Sequence, residues 1–186
     1  MTHRFHLRLA DANLDADAVA AIYRPAVESS VASFEEVAPD AAEMGRRIRS
    51  TLSRTPWLVA EGPDGSVVGY AYARVHRERA GYRWSADVSA YVDAAWQGMG
   101  VGRRLYDALI AMLREQGFVN VYAGITLPNP ASVGLHEAVG MRRIGVYERV
   151  GYKFGAWHDV AWFGMRIGEP SNPPPDPTPT PALLTD

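Results

Sequence analysis

The sequence predicts a mixed α/β domain of three layers, in which a central sheet carries helices on both of its faces. Short segments of alternating apolar and polar residues predict strands, and amphipathic segments with a helical period lie between them. Turn residues at Pro63-Asp64-Gly65-Ser66 join two apolar runs and predict an antiparallel hairpin. Mixed strands and helices with an early hairpin are typical of a sheet covered on both sides.

The first half of the chain supplies four strands and two helices. Phe5, Leu7 and Leu9 alternate with polar residues and predict the first strand. Aspartates are frequent helix caps, so Asp15 or Asp17 is expected to begin the first helix. The expected elements are a strand over 5–9, helices over 15–27 and 40–53, the hairpin strands over 57–61 and 67–75, and a strand over 85–92.

The second half supplies two helices and three strands. Leucines at 105, 109 and 113 mark an amphipathic helix that should end at Gly117. Asn129 followed by Pro130 has the residue pattern of a helix start, and Gly140 that of a helix end. Strands are expected over 119–125, 143–150 and 156–166.

The end of the chain has a different composition from the body. Seven of the 13 prolines follow Gly168. We therefore expect a folded domain over 1–168 and a Pro-rich, disordered tail over 169–186 that is dispensable for stability and activity. A proline-rich docking segment is the alternative interpretation of the tail.

Composition narrows the functional classes. With 186 residues, of which 47% are hydrophobic and 22% charged, the chain resembles an ordinary globular protein. The net charge of −2 argues against a nucleic-acid partner. The lack of cysteine excludes disulfides, thiolate metal sites and cysteine nucleophiles. No apolar run approaches about 20 residues, so we expect no membrane partner and a cytoplasmic location.

The segment Gln97-Gly98-Met99-Gly100-Val101-Gly102-Arg103-Arg104 carries the strongest functional signal. Alternate glycines let the backbone approach a ligand, and the start of the following helix favours an anion. A dinucleotide fingerprint fails because Arg103 replaces the third glycine, and a P-loop fails because no Lys-Ser/Thr pair follows. The remaining pattern, Q-x-x-G-x-G between a strand and a helix, resembles the acetyl-CoA pyrophosphate loop of the GNAT (Gcn5-related) N-acetyltransferase superfamily.

Several further stretches are similar to the phosphinothricin acetyltransferase branch and its amino-acid acetylating relatives. They are Pro56–Glu61, Gly69–Ala73, Tyr82-Arg83-Trp84, Leu127–Val133 and Gly151–Val160. The resemblance runs from about residue 5 to residue 167. It implies a mixed, mostly antiparallel sheet that splays at the acetyl-CoA strand, acetyl-CoA as co-substrate, and a homodimer.

The resemblance also assigns the cofactor contacts. The backbone of Ala90, Tyr91 and Val92 is expected to pair with the pantetheine arm as another strand would. The residues expected at the pyrophosphate are Gln97, Gly98, Met99, Gly100, Val101, Gly102 and Arg103. Asn129 stands where the family contacts the pantetheine side, although a plain helix cap explains the same residue.

Asp87 and His136 are the candidate catalytic residues. Asp87 interrupts a strand of small and apolar residues, at the position where the resemblance implies a glutamate base. Aspartate is one methylene shorter than glutamate. Asp87 is therefore expected to accept the proton directly or through a water, and binding of the ammonium group alone is the alternative. His136 stands where the family carries a group that protonates the leaving thiolate, and a packed structural histidine is the alternative. Because Gly140 replaces the second histidine of H-E-x-x-H, no metal site is expected.

The acceptor pocket is expected to form from three segments, around residues 33–35, 76–82 and 152–153. Arg77 and Arg79 are candidates for clamping a carboxylate or phosphinate, and solvated charged loops are the alternative. Phe34 and Tyr82 are candidates for an apolar wall. The expected reaction is acetyl transfer to a small amino acid or analogue, of the phosphinothricin or methionine sulfone and sulfoximine type. Acetylation of a protein N-terminus or another amine, and a non-catalytic acetyl-CoA sensor, stay open.

Overall fold

The computed structural model describes residues 5–183, which form a seven-stranded sheet with helices on both faces. The strands are β1 His6–Leu9, β2 Trp57–Glu61, β3 Val67–Val75, β4 Ser85–Val92, β5 Asn120–Thr126, β6 Arg142–Lys153 and β7 Ala156–Arg166. The helices are α1 Ala16–Glu28, α2 Ala41–Leu52, α3 Val101–Glu115, α4 Pro130–Ala138 and the short α5 Thr180–Leu183. The predicted α/β class is confirmed.

The sheet has the strand order β1-β2-β3-β4-β5-β7-β6. All neighbouring pairs are antiparallel except β4 and β5, which run parallel. The predicted mixed, mostly antiparallel sheet is therefore confirmed. β6 and β7 meet at Phe154-Gly155, where both residues have positive φ, as a tight two-residue hairpin turn requires.

Two hydrophobic cores hold the helices on opposite faces. α1 and α2 cover an aromatic layer on the sheet in which the rings of Trp57 and Tyr72 stack with centroids 4.3 Å apart. On the other face, α3 buries Leu105, Leu109 and Leu113 completely against the central strands. Burial of such side chains contributes about 1.5–3 kcal/mol each. The central strands are thus fixed from both sides.

At the centre of the sheet, the parallel pair β4–β5 forms an incomplete ladder. Its pairing covers Ser85–Asn120, Ala86–Val121 and Asp87–Tyr122, and then stops although both strands continue. Beyond that point β4 stays paired with β3 up to Val92, and β5 stays paired with β7 up to Thr126. The two strands therefore diverge into a fork. The splay that the resemblance implies is present, and Asp87 lies where it begins.

The predicted helix boundaries hold to within a few residues, with one change in the role of a cap. Asp40 and Asn129 cap α2 and α4 through their side chains, accepting from the amides of Glu43 and Ser132. Asp15 precedes α1 but makes no side-chain cap bond. Its carboxylate instead receives two hydrogen bonds from Arg8, at 2.7 and 2.8 Å. This ion pair ties α1 to β1.

The tail departs from the expectation of a mobile appendix with nothing to bury. The carbonyl of Pro175 accepts a hydrogen bond from Trp84 Nε1 at 2.6 Å. The buried amide of Gln116 donates to the carbonyls of Thr178 and Arg54 at 2.8 and 2.9 Å. Thr180 is 1% exposed. The reason for the difference is that polar hydrogen bonds, rather than apolar burial, attach this segment to the body.

Removing residues 169–186 should therefore lower the melting temperature. The lost hydrogen bonds are worth roughly 1–3 kcal/mol in total, which corresponds to about 2–4 °C per kcal/mol for a domain of this size. Gln116→Leu in the full chain should reproduce much of the loss, because Gln116 supplies the amide that holds the tail. Thermal unfolding of both variants checks this, and an unchanged melting temperature for the shortened chain contradicts it.

Candidate active site

The fork between β4 and β5 opens into one continuous cleft. One part is lined by α1, the outer half of β4 and the end of β5, and the other part by the glycine-rich loop and α4. The two parts share six lining residues: Ala90, Val92, Gln97, Asn129, Ser132 and His136. With the exception of Met99, the predicted contacts on β4, on the loop and at Asn129 therefore line one cleft.

The glycine-rich loop has the geometry of an anion cradle. Gly98 and Gly100 have φ of 74° and 84°, a left-handed backbone that other residues rarely adopt. A Cβ at either position would meet no atom within 4 Å, so space for a ligand lies beside them. Gly100 precedes α3, whose first amides have no partner within the helix and carry the positive end of the dipole. Arg103 adds a largely exposed positive charge there.

Gly102 is needed for packing rather than for conformation. A Cβ there would lie 3.1 Å from Leu135 Cδ2 of α4, which is tighter than ordinary contact. The start of α3 can therefore approach α4 closely. Met99 lies on the outside of the loop and is about half exposed. Gln97 donates from Nε2 to the carbonyl of Val92 at 3.2 Å and so links the loop to the end of β4.

His136 lies on the wall of the cleft and is 4% exposed. Its Nδ1 is 2.7 Å from the carbonyl of Ser132, and its Nε2 is 3.0 Å from the hydroxyl of Tyr106. A carbonyl can only accept, so Nδ1 carries the proton and Nε2 accepts from Tyr106. Burial lowers the pKa of His136, which favours this neutral ring at neutral pH.

Asp87 is joined to a histidine that the sequence analysis placed only in the acceptor loop. His76 Nδ1 lies 2.6 Å from Asp87 Oδ1. Burial raises the pKa of Asp87, while the His76 hydrogen bond and the nearby charges of Arg77 and Arg74 oppose this rise. A carboxyl group in this setting accepts protons more readily than an ordinary surface aspartate.

Two of the three segments expected around the acceptor contact each other. Lys153, at the end of β6, donates to the carbonyls of Val27, Ser30 and Ser33. This holds the connection between α1 and α2 against the β6–β7 hairpin. Phe34 lies over Gly151, where any side chain would collide with its ring. These segments together form a wall.

The side chains of the third segment, residues 76–82, lie in two different places. The ring of Tyr82 faces His76, with centroids 6.1 Å apart, so it lies on the Asp87 side. Arg77 and Arg79 line a separate depression together with Asp176 and Pro177 of the tail. Arg77 also acts on Asp87 through its charge. Within residues 5–183 no such connection joins Arg79 to the fork, and its role in acceptor binding stays a prediction.

Sequence reasoning missed two residues of this region. Tyr106 carries no motif signal, because a tyrosine at a buried helical position resembles any core residue. His76 was included in a charged loop, and its contact with Asp87 depends on the register of β3 against β4. The register pairs Arg74 with Asp87, and His76 follows Arg74 by two residues. Knowledge of this register would therefore have placed His76 on the same face of the sheet as Asp87.

Within residues 5–183, no group of three or more His, Asp or Glu side chains is placed to hold a metal ion. No helix in the described part of the chain is both long enough and apolar enough to cross a membrane.

Known proteins with similar sequences and structures point to one family. The phosphinothricin N-acetyltransferase of Streptomyces viridochromogenes is 37% identical over 161 residues, which cover 87% of each chain. The L-methionine sulfoximine/L-methionine sulfone acetyltransferase of Pseudomonas aeruginosa is 34% identical over 154 residues, covering 82% of this chain and 90% of that one.

The solved structures agree. A GNAT superfamily phosphinothricin acetyltransferase from Sinorhizobium meliloti, in complex with acetyl-CoA, matches with a TM-score of 0.87 and 34% identity. The match covers 95% of this chain and 94% of that one. The family model described as an acetyltransferase (GNAT) domain matches residues 7–162. With the fork, the glycine cradle and these matches together, the chain belongs to the GNAT acetyltransferase family.

Proposed function

We propose that this protein transfers the acetyl group of acetyl-CoA to the primary amine of a small amino acid or amino-acid analogue. The observation that carries the proposal is the fork: an unpaired strand edge runs from Asp87 towards the glycine cradle. An extended ligand can pair with such an edge while its anionic end lies at the start of α3. The relatives named above acetylate phosphinothricin and methionine sulfoximine or sulfone.

The residues of the fork fit acetyl-CoA in two ways. Open space beside Gly98 and Gly100 accommodates a pyrophosphate without a Cβ in the way. The outer half of β4 offers the backbone groups of Ala90 and Val92 to the pantetheine amides, whereas those of Tyr91 face β3 in the antiparallel ladder. Acetyl-CoA supplies an activated thioester, and the protein has to orient it and manage two protons.

The first proton belongs to the acceptor, which arrives as an ammonium ion and attacks only as a free amine. Asp87 accepts this proton, directly or through one water, since it lies where the fork begins. Its raised pKa brings the carboxyl closer to the working pH. The amine nitrogen then forms a bond to the acetyl carbon, and the bond from carbon to sulfur breaks.

The second proton goes to the departing thiolate. His136 is the proposed source, because it lies on the cleft wall near the middle of the fork. In its neutral form the ring has only the Nδ1 proton, which is engaged with Ser132. Donation therefore requires a second proton at Nε2, in place of the hydrogen bond from Tyr106. A structural role for His136 explains the same contacts.

The acceptor is proposed to bind between Tyr82, Arg77 and the wall that contains Phe34. Arg77 is the arginine of its loop whose charge reaches Asp87, which suits a carboxylate or phosphinate held beside the amine. Arg79 is less well placed, and its part in acceptor binding stays a prediction. The cytoplasmic location and the lack of nucleic-acid and membrane partners also stay predictions from the sequence.

The function is tested by measuring thiol release from acetyl-CoA over a panel of amines. The panel contains phosphinothricin, methionine sulfone, methionine sulfoximine, ordinary amino acids and a short peptide with a free N-terminus. Turnover with an amino-acid analogue supports the proposal. Turnover confined to the peptide favours acetylation of a protein N-terminus. Acetyl-CoA binding without turnover favours a non-catalytic acetyl-CoA sensor.

Gly100→Asp should abolish acetyl-CoA binding, because it places a side chain and a negative charge where the pyrophosphate belongs. Gly65→Asp is the matched control: Gly65 has φ of 83° and equally open surroundings but lies in the β2–β3 turn. Calorimetry should show lost binding in the first variant and unchanged binding in the second. Unchanged affinity in folded Gly100→Asp would exclude this loop as the cradle.

Asp87→Asn should lower kcat by roughly 10²–10⁴-fold, since it removes the base but keeps an oxygen for His76. Acetyl-CoA affinity should hardly change. In the wild type, activity should fall with decreasing pH as the carboxyl, whose pKa is raised, becomes protonated. The variant should recover partly at high pH, where more acceptor amine is neutral. Steady-state kinetics from pH 6 to 9 check this, with Asp87→Glu as the control that should stay active. A near wild-type rate for Asp87→Asn would show that Asp87 is not the base.

A homodimer is proposed on the evidence of the β6–β7 hairpin. Tyr152, Phe154 and Trp157 are each about 60% exposed on it, and β6 is an edge strand. An apolar patch on a sheet edge is typical of an interface. Trp157→Glu should shift the protein from dimer to monomer in sedimentation, whereas Val37→Glu, at another exposed apolar residue, should not. A monomeric wild type contradicts the proposal.

A further inference from the structure

His76 has no role in the proposed mechanism, although its side chain is hydrogen-bonded to Asp87. His76 directly follows β3, and its amide donates to the carbonyl of Ser85 at 3.1 Å, which extends the β3–β4 ladder by one step. Arg74 pairs with Asp87 in that ladder. His76 and Asp87 are therefore diagonal neighbours on one face of the sheet, a spacing that longer side chains can bridge.

The imidazole is held firmly on three sides. Its ring centroid lies 4.8 Å from that of Tyr122, 6.1 Å from that of Tyr82 and 6.3 Å from that of Trp162. The His76 side chain is only 16% exposed. Contacts from β5, from β7 and from the loop before β4 thus fix the ring plane. A fixed ring can hold its hydrogen-bonded partner in one orientation.

The hydrogen bond leaves the second carboxylate oxygen unused. Oδ1 of Asp87 is 2.6 Å from His76 Nδ1, whereas Oδ2 makes no hydrogen bond to any residue within 5–183. An ionised carboxylate can only accept, so Nδ1 carries the shared proton. The Asp87 side chain is 35% exposed, so the carboxyl group is accessible to solvent.

We propose that His76 is a positioning residue of the acetyl-transfer reaction, whose Nδ1–H holds one oxygen of Asp87 so that the other is presented to the acceptor ammonium or its bridging water. This rests on the proposed function, in which Asp87 accepts the ammonium proton. The bond also keeps the carboxyl ionised, since the His76 hydrogen bond acts against the rise in the pKa of Asp87 that burial causes. Arg74 and Arg77 act in the same direction through their charge.

Two variants of His76 separate positioning from other roles. His76→Phe keeps an aromatic ring among Tyr82, Tyr122 and Trp162 but has no donor. His76→Asn loses the ring but keeps an amide N–H at about the distance of Nδ1 from the backbone. The readouts are kcat, KM for both substrates and the pH dependence of kcat, with melting temperatures to confirm folding.

His76→Phe should lower kcat by roughly 10–100-fold, part of what a general base contributes, with KM for acetyl-CoA unchanged. The fall of kcat at acidic pH should begin at a higher pH in this variant, because Asp87 loses the hydrogen bond that opposes its protonation. His76→Asn should recover most of the lost rate, and its kcat should fall at about the same acidic pH as in the wild type. Equal losses in both variants would overturn the proposal, because the restored N–H donor would then make no difference. An unchanged kcat in His76→Phe would overturn it as well.

A titration separates this inference from the proposed function. Carbon-13 NMR of the Asp87 carboxyl, followed in the free protein, should show a higher pKa in His76→Phe than in the wild type. This readout needs no acceptor, so a wild type that acetylates no amine refutes the function without deciding the pairing. An identical titration in the two proteins refutes the pairing whatever the activity.

Discussion

The divergence of β4 from β5 after Asp87 is the constraint on which the rest of the site depends. Three residue pairs hold the strands together, and each strand then follows its other neighbour, β4 along β3 and β5 along β7. Since those outer ladders are complete, the fork keeps its shape while its inner edges stay without a strand partner. Such an edge has unpaired backbone groups, which a ligand with amides can satisfy.

The two cores explain why the fork can stay open. α3 packs its leucines under β4 and the neighbouring strands, and the aromatic layer under α1 and α2 supports the opposite face. α3 also presents its N-terminus, with Gly100 in the left-handed conformation, at one end of the cleft. The same helix thus supports the sheet and supplies the anion site. The connection between α1 and α2, held by Lys153, closes the other side.

Local signals made much of the fold predictable. The strands 57–61, 67–75 and 85–92 follow from alternation and turn residues, and their predicted bounds are those of the structure. The glycine loop and the capping by Asn129 depend on neighbouring residues only, so the sequence shows them directly. The tail could not be predicted, because Gln116 and Thr178 meet across 62 positions through polar hydrogen bonds. The His76–Asp87 pair likewise depends on a strand register that no local pattern reveals.

The resemblance to a known family and the geometry contribute different parts of this account. The resemblance indicates acetyl-CoA, and the geometry shows an unpaired edge and an anion cradle on one cleft. Amide hydrogen exchange with and without acetyl-CoA tests their combination most directly. Protection should increase in residues 88–92 and 98–103 and change little in β1 and β2. Acetyl-CoA binding that protects another part of the sheet, with these two segments unchanged, would contradict the fork as the binding site.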